Sequence, residues 1–128
     1  MSYYFAKNVE GAFDDVISQV IDALKVEGFG VLTEIDVRAT LKKKLDVDFR
    51  NYRILGACNP PFAYQAFLAE DKIGAMLPCN VVVQDREDGT VEVAAVDPVA
   101  SMQAIENPEL GAVAAEVQGK LKKVIDSL

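Results

Sequence analysis

Histidine and tryptophan are both missing from this sequence of 128 residues. The first absence removes every Ser-His or Cys-His nucleophile, every imidazole metal ligand and any imidazole pH switch. Cysteine is scarce: Cys58 and Cys79 are the only two, too few for the disulfide framework of a small secreted domain. Two thiols in a reducing cytoplasm are therefore expected. No apolar run of about eighteen residues occurs, so no membrane-spanning helix is expected. The opening Met1-Ser2-Tyr3-Tyr4-Phe5-Ala6-Lys7 also lacks the basic segment and long apolar stretch of a signal peptide. Positive charge is in deficit, with 13 Lys and Arg against 20 Asp and Glu for a net −7, which argues against generic nucleic-acid binding. Repeats, low-complexity tracts and Gly/Ser linkers are absent, so residues 1–128 read as a single domain.

What is present is enough apolar material for a core, 51% of the residues, arranged with clear periodicity. Tyr3 to Lys7 reads as a strand ended by Asn8. Phe13, Val16, Ile17, Val20, Ile21 and Leu24 recur at spacings of three and four, an amphipathic helix closed by Gly28. Phe29, Val31, Thr33 and Ile35 alternate with Gly30, Leu32 and Glu34 as a second strand. Asp36 then caps a short helix ending in Lys42-Lys43-Lys44, where positive charge suits the helix dipole. Arg53 to Cys58 is a third strand, and Asn59-Pro60 opens another helix, with Asn as cap and Pro at its first position. Cys79 to Gln84 and Val91 to Val96 flank an Asp88-Gly89 reversal, which predicts a β-hairpin. Asp97-Pro98 starts a short helical piece. Asn107-Pro108 opens the last helix, which carries an apolar stripe from Leu110 to Leu128.

This order predicts an α+β fold: a two-layer α/β sandwich whose mixed, mostly antiparallel sheet of about five strands carries two long helices on one face. Val81-Val82-Val83 and Val93-Ala94-Ala95-Val96 are apolar at successive positions, so both faces of the hairpin call for cover. Two long helices cover one face. Short helices or a second copy of the chain must cover the other, and a homodimer is expected.

Few groupings carry chemistry. Gly28-Phe29-Gly30 lacks the third glycine of a dinucleotide fingerprint and follows a helix instead of opening one, so it reads as a cap and strand entry. Between Asp36 and Arg53 lie Arg38, Lys42, Lys43, Lys44, Arg50 and Arg53 against three acids. This basic island can attract an anionic metabolite, though lysines at a helix end are ordinarily a solvated surface. Asp85, Glu87 and Asp88 lack the spacing of a calcium loop and read as a charged hairpin tip. Glu34 and Asp36 share one face of a strand, as an acid/base pair would need.

The strongest grouping is two cysteines each followed by asparagine, Cys58-Asn59-Pro60 and Cys79-Asn80. Cys58 directly precedes a helix start, where free amides favour a thiolate or an anion. Two thiols do not complete a zinc site, and no metal or cofactor is expected. Whether the thiols meet depends on whether the chain between Asp71 and Pro78 returns to the same end of the sheet.

At these residues the sequence resembles the domain of unknown function 302 family, in its bacterial branch with a Cys-Asn-Pro segment. The resemblance rests on the stretch Gly28 to Asp36, on Ile54-Leu55-Gly56-Ala57-Cys58-Asn59-Pro60, on Leu77-Pro78-Cys79-Asn80-Val81-Val82-Val83 and on Val96-Asp97-Pro98. It implies a small two-layer α/β domain, usually a dimer, with no established activity. Other branches lack one or both cysteines, which implies a pocket common to the fold with thiols specialised here.

Three functions are compatible with these residues, and whether the chain is an enzyme stays open among them. One is a dimeric binding module with a site near Cys58-Asn59-Pro60 for a small anionic or carbonyl-bearing ligand, drawing also on Asn80, Glu34 and Asp36. Another is a thiol redox enzyme or sensor with Cys58 as nucleophile, Cys79 as resolving partner and, as base, a carboxylate such as Glu34 or Asp36, or solvent. The third is a non-catalytic assembly partner that uses its apolar sheet face.

Overall fold

The computed structural model describes residues 2–128. Its centre is the hairpin. Gly89 takes the left-handed backbone (φ +85°), and Asp88 Oδ1 accepts from the backbone N–H of Thr90 at 3.0 Å and from its hydroxyl at 2.6 Å. That turn sets β4 (Cys79–Asp85) against β5 (Val91–Val96), with Val83 opposite Val93. The edge strand β1 (Tyr4–Val9) lies beyond β5, and β3 (Tyr52–Cys58) then β2 (Gly30–Asp36) lie beyond β4, giving the order β1-β5-β4-β3-β2. Every pairing is antiparallel, so the sheet is not mixed. The two strands that run in the same direction around the first crossover, β1 and β2, stand at opposite edges and never pair.

The long helices α1 (Phe13–Val26) and α5 (Pro108–Asp126) pack on one face. Val16, Val20 and Leu24 of α1 and Leu121 and Val124 of α5 meet Leu55, Val81, Val83, Val93 and Ala95 from the sheet in one buried core. α1 ends in a Schellman-type closure: Phe29 N–H reaches the Leu24 carbonyl at 2.9 Å and Gly28 N–H that of Lys25 at 3.0 Å, with Gly28 at φ +86°. The short helices are α2 (Val37–Leu45), α3 (Pro60–Ala69) and α4 (Pro98–Ser101). None of them buries the second face. α2 touches β3 but buries no residue of its own, while α3 and α4 pack against α5. Tyr4 and Ile35 are exposed, and Val82, Ala94 and Val96 are only half-buried.

Two local expectations change. β1 runs on through Asn8 to Val9 because β5 supplies partners as far as Val91, so strand pairing overrides the low strand propensity of Asn8. In β2, Leu32 is an extra residue between Val31, opposite Ala57, and Thr33, opposite Gly56. The single alternating face read from Phe29 to Ile35 is thereby split. Val31 faces the helices with Ala57, whereas Thr33 and Ile35 face outward with Gly56 and Ile54, because one added residue turns every later side chain over. Among the described residues no helix is long and apolar enough to cross a membrane.

Candidate functional site

The connection from β3 to β4 decides the geometry. α3 leads away from the sheet, and a 3-10 turn at Ile73–Met76 brings the chain back, so β4 starts where β3 stops. Ala57 is the partner of Cys79 in this antiparallel pair, which places Cys58 and Cys79 at the same end of the sheet. Cys58 is half-buried and Cys79 buried, and both thiols are free. Beside them opens a cavity of about 260 Å³, walled by Phe29 after α1, by Phe62, Ala63, Ala66 and Phe67 of α3, by Leu77 and Pro78, by Met102, and by Val113, Ala114 and Val117 of α5. No lining residue is charged. Among the described residues, apart from the two thiols, Asn59 is the only polar side chain in the wall.

Asn59 stands at the N-cap position of α3, as expected, but its side chain does not cap. Its Nδ2 donates to the Glu27 carbonyl at 3.1 Å and so joins the end of α1 to the start of α3. The reason lies in Pro60-Pro61, which fill the first two helical positions and carry no N–H. Of the four amides that a helix start ordinarily leaves free, two are therefore missing. The amide cluster expected to receive an anion or favour a Cys58 thiolate is halved, and the wall beside it is apolar.

Other candidate residues are dispersed. Pro60 starts the helix but is not part of the cavity wall. Asn80 is exposed beside Gly56 on the open face of the sheet, together with Tyr52, Val82 and Ala94. Glu34 and Asp36 pair with Arg53 at 2.7 and 3.5 Å, and Asp36 also caps α2 by accepting from Ala39 N–H at 2.9 Å. Glu34 lies opposite Leu55, three residues along β3 from Cys58, or roughly 10 Å at the rise of a strand. Neither carboxylate is in reach as a base for either thiol.

Burial pushes the Cys79 thiol up to about 11, with the nearby Cys58 adding a smaller push in the same direction. Cys79 is thus held protonated at neutral pH, which makes it a slow resolving nucleophile.

The basic island is largely occupied with its own neighbours. Lys42 pairs with Asp46 and Asp48, Arg38 donates to Asn51, and Arg50 donates to Gln84 while stacking on Phe49 at 4.4 Å. At the hairpin tip, Asp85 accepts from Asn51 at 2.7 Å and Asp88 holds Thr90. Among the described residues no three His, Cys, Asp or Glu side chains are grouped as a metal site.

Sequence reasoning reaches the two thiols and Asn59 but does not single out Phe62, Ala66, Phe67 and Val117, which the fold turns into cavity wall. One signal was available. The helix Pro-Pro-Phe-Ala-Tyr-Gln-Ala-Phe-Leu-Ala is apolar nearly all round, yet it buries only Ala66 and leaves Phe67 47% and Leu68 70% exposed. A helix that apolar with so little buried has a wall to build or a face to offer.

Comparison with known proteins fits this geometry. The crystal structure of an uncharacterized conserved protein DUF302 from Bacillus stearothermophilus superposes with a TM-score of 0.91 at 28% identity, covering 98% of each chain. No curated protein matches the chain significantly. The family model for the domain of unknown function DUF302 matches residues 5–128. With essentially the whole sheet and both long helices inside that match, the chain belongs to the DUF302 family.

Proposed function

We propose that this protein is a cytoplasmic binding module that takes a small, mostly apolar molecule into the cavity beside Cys58, Asn59 and Cys79. The observation that carries the reading is the cavity itself: about 260 Å³ at a sheet end, walled chiefly by α3, α5 and the ends of β3 and β4, with no charged side chain among the described lining residues. Pockets of this character, apolar with one or two placed polar groups, are the usual form of a small-molecule site. The anionic ligand anticipated from the helix start loses support from Pro60-Pro61, and thiol redox chemistry loses support from the distant carboxylates and the protonated Cys79. The two thiols line the pocket as small, soft, apolar surface.

Naphthalene at saturating concentration tests the reading. It is expected to raise the thermal midpoint of the protein, because a ligand that binds only the folded state stabilises it. Ala63→Leu, which fills the cavity from α3, is expected to keep the fold and abolish that rise. An unchanged midpoint in the unaltered protein rejects the reading.

A homodimer remains part of the proposal. Its support is the uncovered sheet face of Tyr4, Ile35, Val82, Ala94 and Val96, which no short helix shields. Sedimentation equilibrium of the protein against Val82→Glu reads it directly, and a monomer in both rejects it.

A further inference from the structure

Three helices start at an Xaa-Pro step, and they do not start alike. At Asn107-Pro108 both ends of the asparagine amide are used: Oδ1 accepts from Glu109 N–H at 3.1 Å, and Nδ2 donates to the Ala69 carbonyl at 2.7 Å. At Asp97-Pro98 the carboxylate accepts from Val99 N–H at 3.0 Å. At Asn59-Pro60 the residue that would supply this donor, two places on, is Pro61, and it has none. Asn59 therefore keeps the tie to the end of α1, Nδ2 to the Glu27 carbonyl, and makes no cap.

The orientation of the amide is set by chemistry. The Glu27 carbonyl only accepts, so the nitrogen must face it and the oxygen must face away. Gly28 lies against the same nitrogen, close enough that an added Cβ would stand 3.2 Å from Nδ2. No described residue donates to Oδ1. Asn59 is only 8% exposed and forms part of the cavity wall. Among the described residues no side-chain nitrogen or oxygen is sealed away without a partner, so this unpartnered oxygen keeps contact with solvent.

Resting on the binding reading above, we infer that the cavity selects a neutral, mostly apolar molecule carrying one N–H or O–H donor, which Asn59 Oδ1 receives. A cavity of about 150 Å³ holds benzene, so 260 Å³ suits roughly ten non-hydrogen atoms at the same packing. A carboxylate or a lone carbonyl brings acceptor against acceptor and finds no cation in the wall. A pure hydrocarbon fits but leaves a buried acceptor without a partner, a loss of roughly tenfold in affinity.

Indole and indene test this by calorimetric titration, because they share one ring skeleton and differ in an N–H against a CH2. Indole is expected to bind roughly tenfold more tightly than indene. Pro61→Ala restores a backbone N–H two places beyond Asn59, where Glu109 stands relative to Asn107, and is expected to bring the two affinities together by occupying Oδ1. Asn59→Ala is expected to do the same by removing it, and Pro61→Ala keeps the test decisive if Asn59→Ala does not fold. Equal affinities in the unaltered protein, or a preference for indole that survives Pro61→Ala, overturn the donor assignment while the cavity reading stands. No binding of either compound overturns both.

Discussion

The two ends of strands β2, β3 and β4 are built from opposite materials. At one end the Arg53 guanidinium lies over the ring of Phe13 and pairs with Glu34 and Asp36, and the hairpin tip gathers Arg50, Asp85, Arg86, Glu87 and Asp88 around a polar depression. At the other end the strands stop among Cys58, Cys79, Phe62 and Leu77, and the space between them is hollow and uncharged. The lesson is about distance. A carboxylate pair and a thiol pair that look like one catalytic set in the sequence are separated by three to five residues of β3, so the charged end shapes the fold's surface and the apolar end holds its opening.

The sharpest way to break the contrast is at Gly56, the residue that lets the apolar end close. A Cβ there would collide with Thr33 Oγ1 and stand 2.8 Å from Pro78 Cγ. Gly56→Ala is expected to cost about 3 kcal/mol by chemical denaturation, an overpacking penalty. Gly30→Ala, where a Cβ meets nothing within 4 Å, serves as the control and is expected to change little. Equal effects would mean that the outer side of β3 tolerates rearrangement.

A smaller effect separates the ends by pH. The Cys79 thiol is raised from 9.0 to about 11, so the unfolded chain gives up this proton first as pH rises. The stability that Cys79 contributes is fully present below pH 9 and is lost as pH climbs toward 11, on the order of 2–3 kcal/mol at 1.36 kcal/mol per unit. Cys79→Ala is expected to flatten that part of the alkaline stability profile. A profile unchanged by the substitution would show that the thiol is solvated.

The smallest effect is expected at the charged end. Arg53→Met removes two partly exposed ion pairs, worth about 0.5–1 kcal/mol together, and is expected to leave naphthalene binding and thiol alkylation unchanged. Any loss of binding in this variant would join the two ends functionally.

The elements of this fold are legible in the chain because each is specified locally. The 3- and 4-residue spacing in α1 and α5, the Asp88-Gly89 reversal and the Asp36 cap depend on neighbours in sequence, and the structure keeps all of them. The candidate site was legible only in part, since Cys58, Asn59 and Cys79 reach the cavity while Asn80, Glu34 and Asp36 do not. Asn80 fails by the strand period alone: it follows Cys79 and so must point to the opposite face. Glu34 and Asp36 fail by register, because β2 meets β3 antiparallel and carries them away from Cys58 as it proceeds.

Periodicity and turn chemistry, which act over a few residues, are enough to determine the α+β character, the order of the elements and the apolar inner face. Pro60-Pro61 likewise denies two amides to the start of α3 whatever surrounds it. Three features depended on the folded chain: the wholly antiparallel pairing, the return of the 3-10 turn that brings Cys79 beside Cys58, and the cavity those elements leave between α3 and α5. These arise from contacts between segments far apart in sequence, where the energy of packing and pairing selects among arrangements that local preferences leave equal.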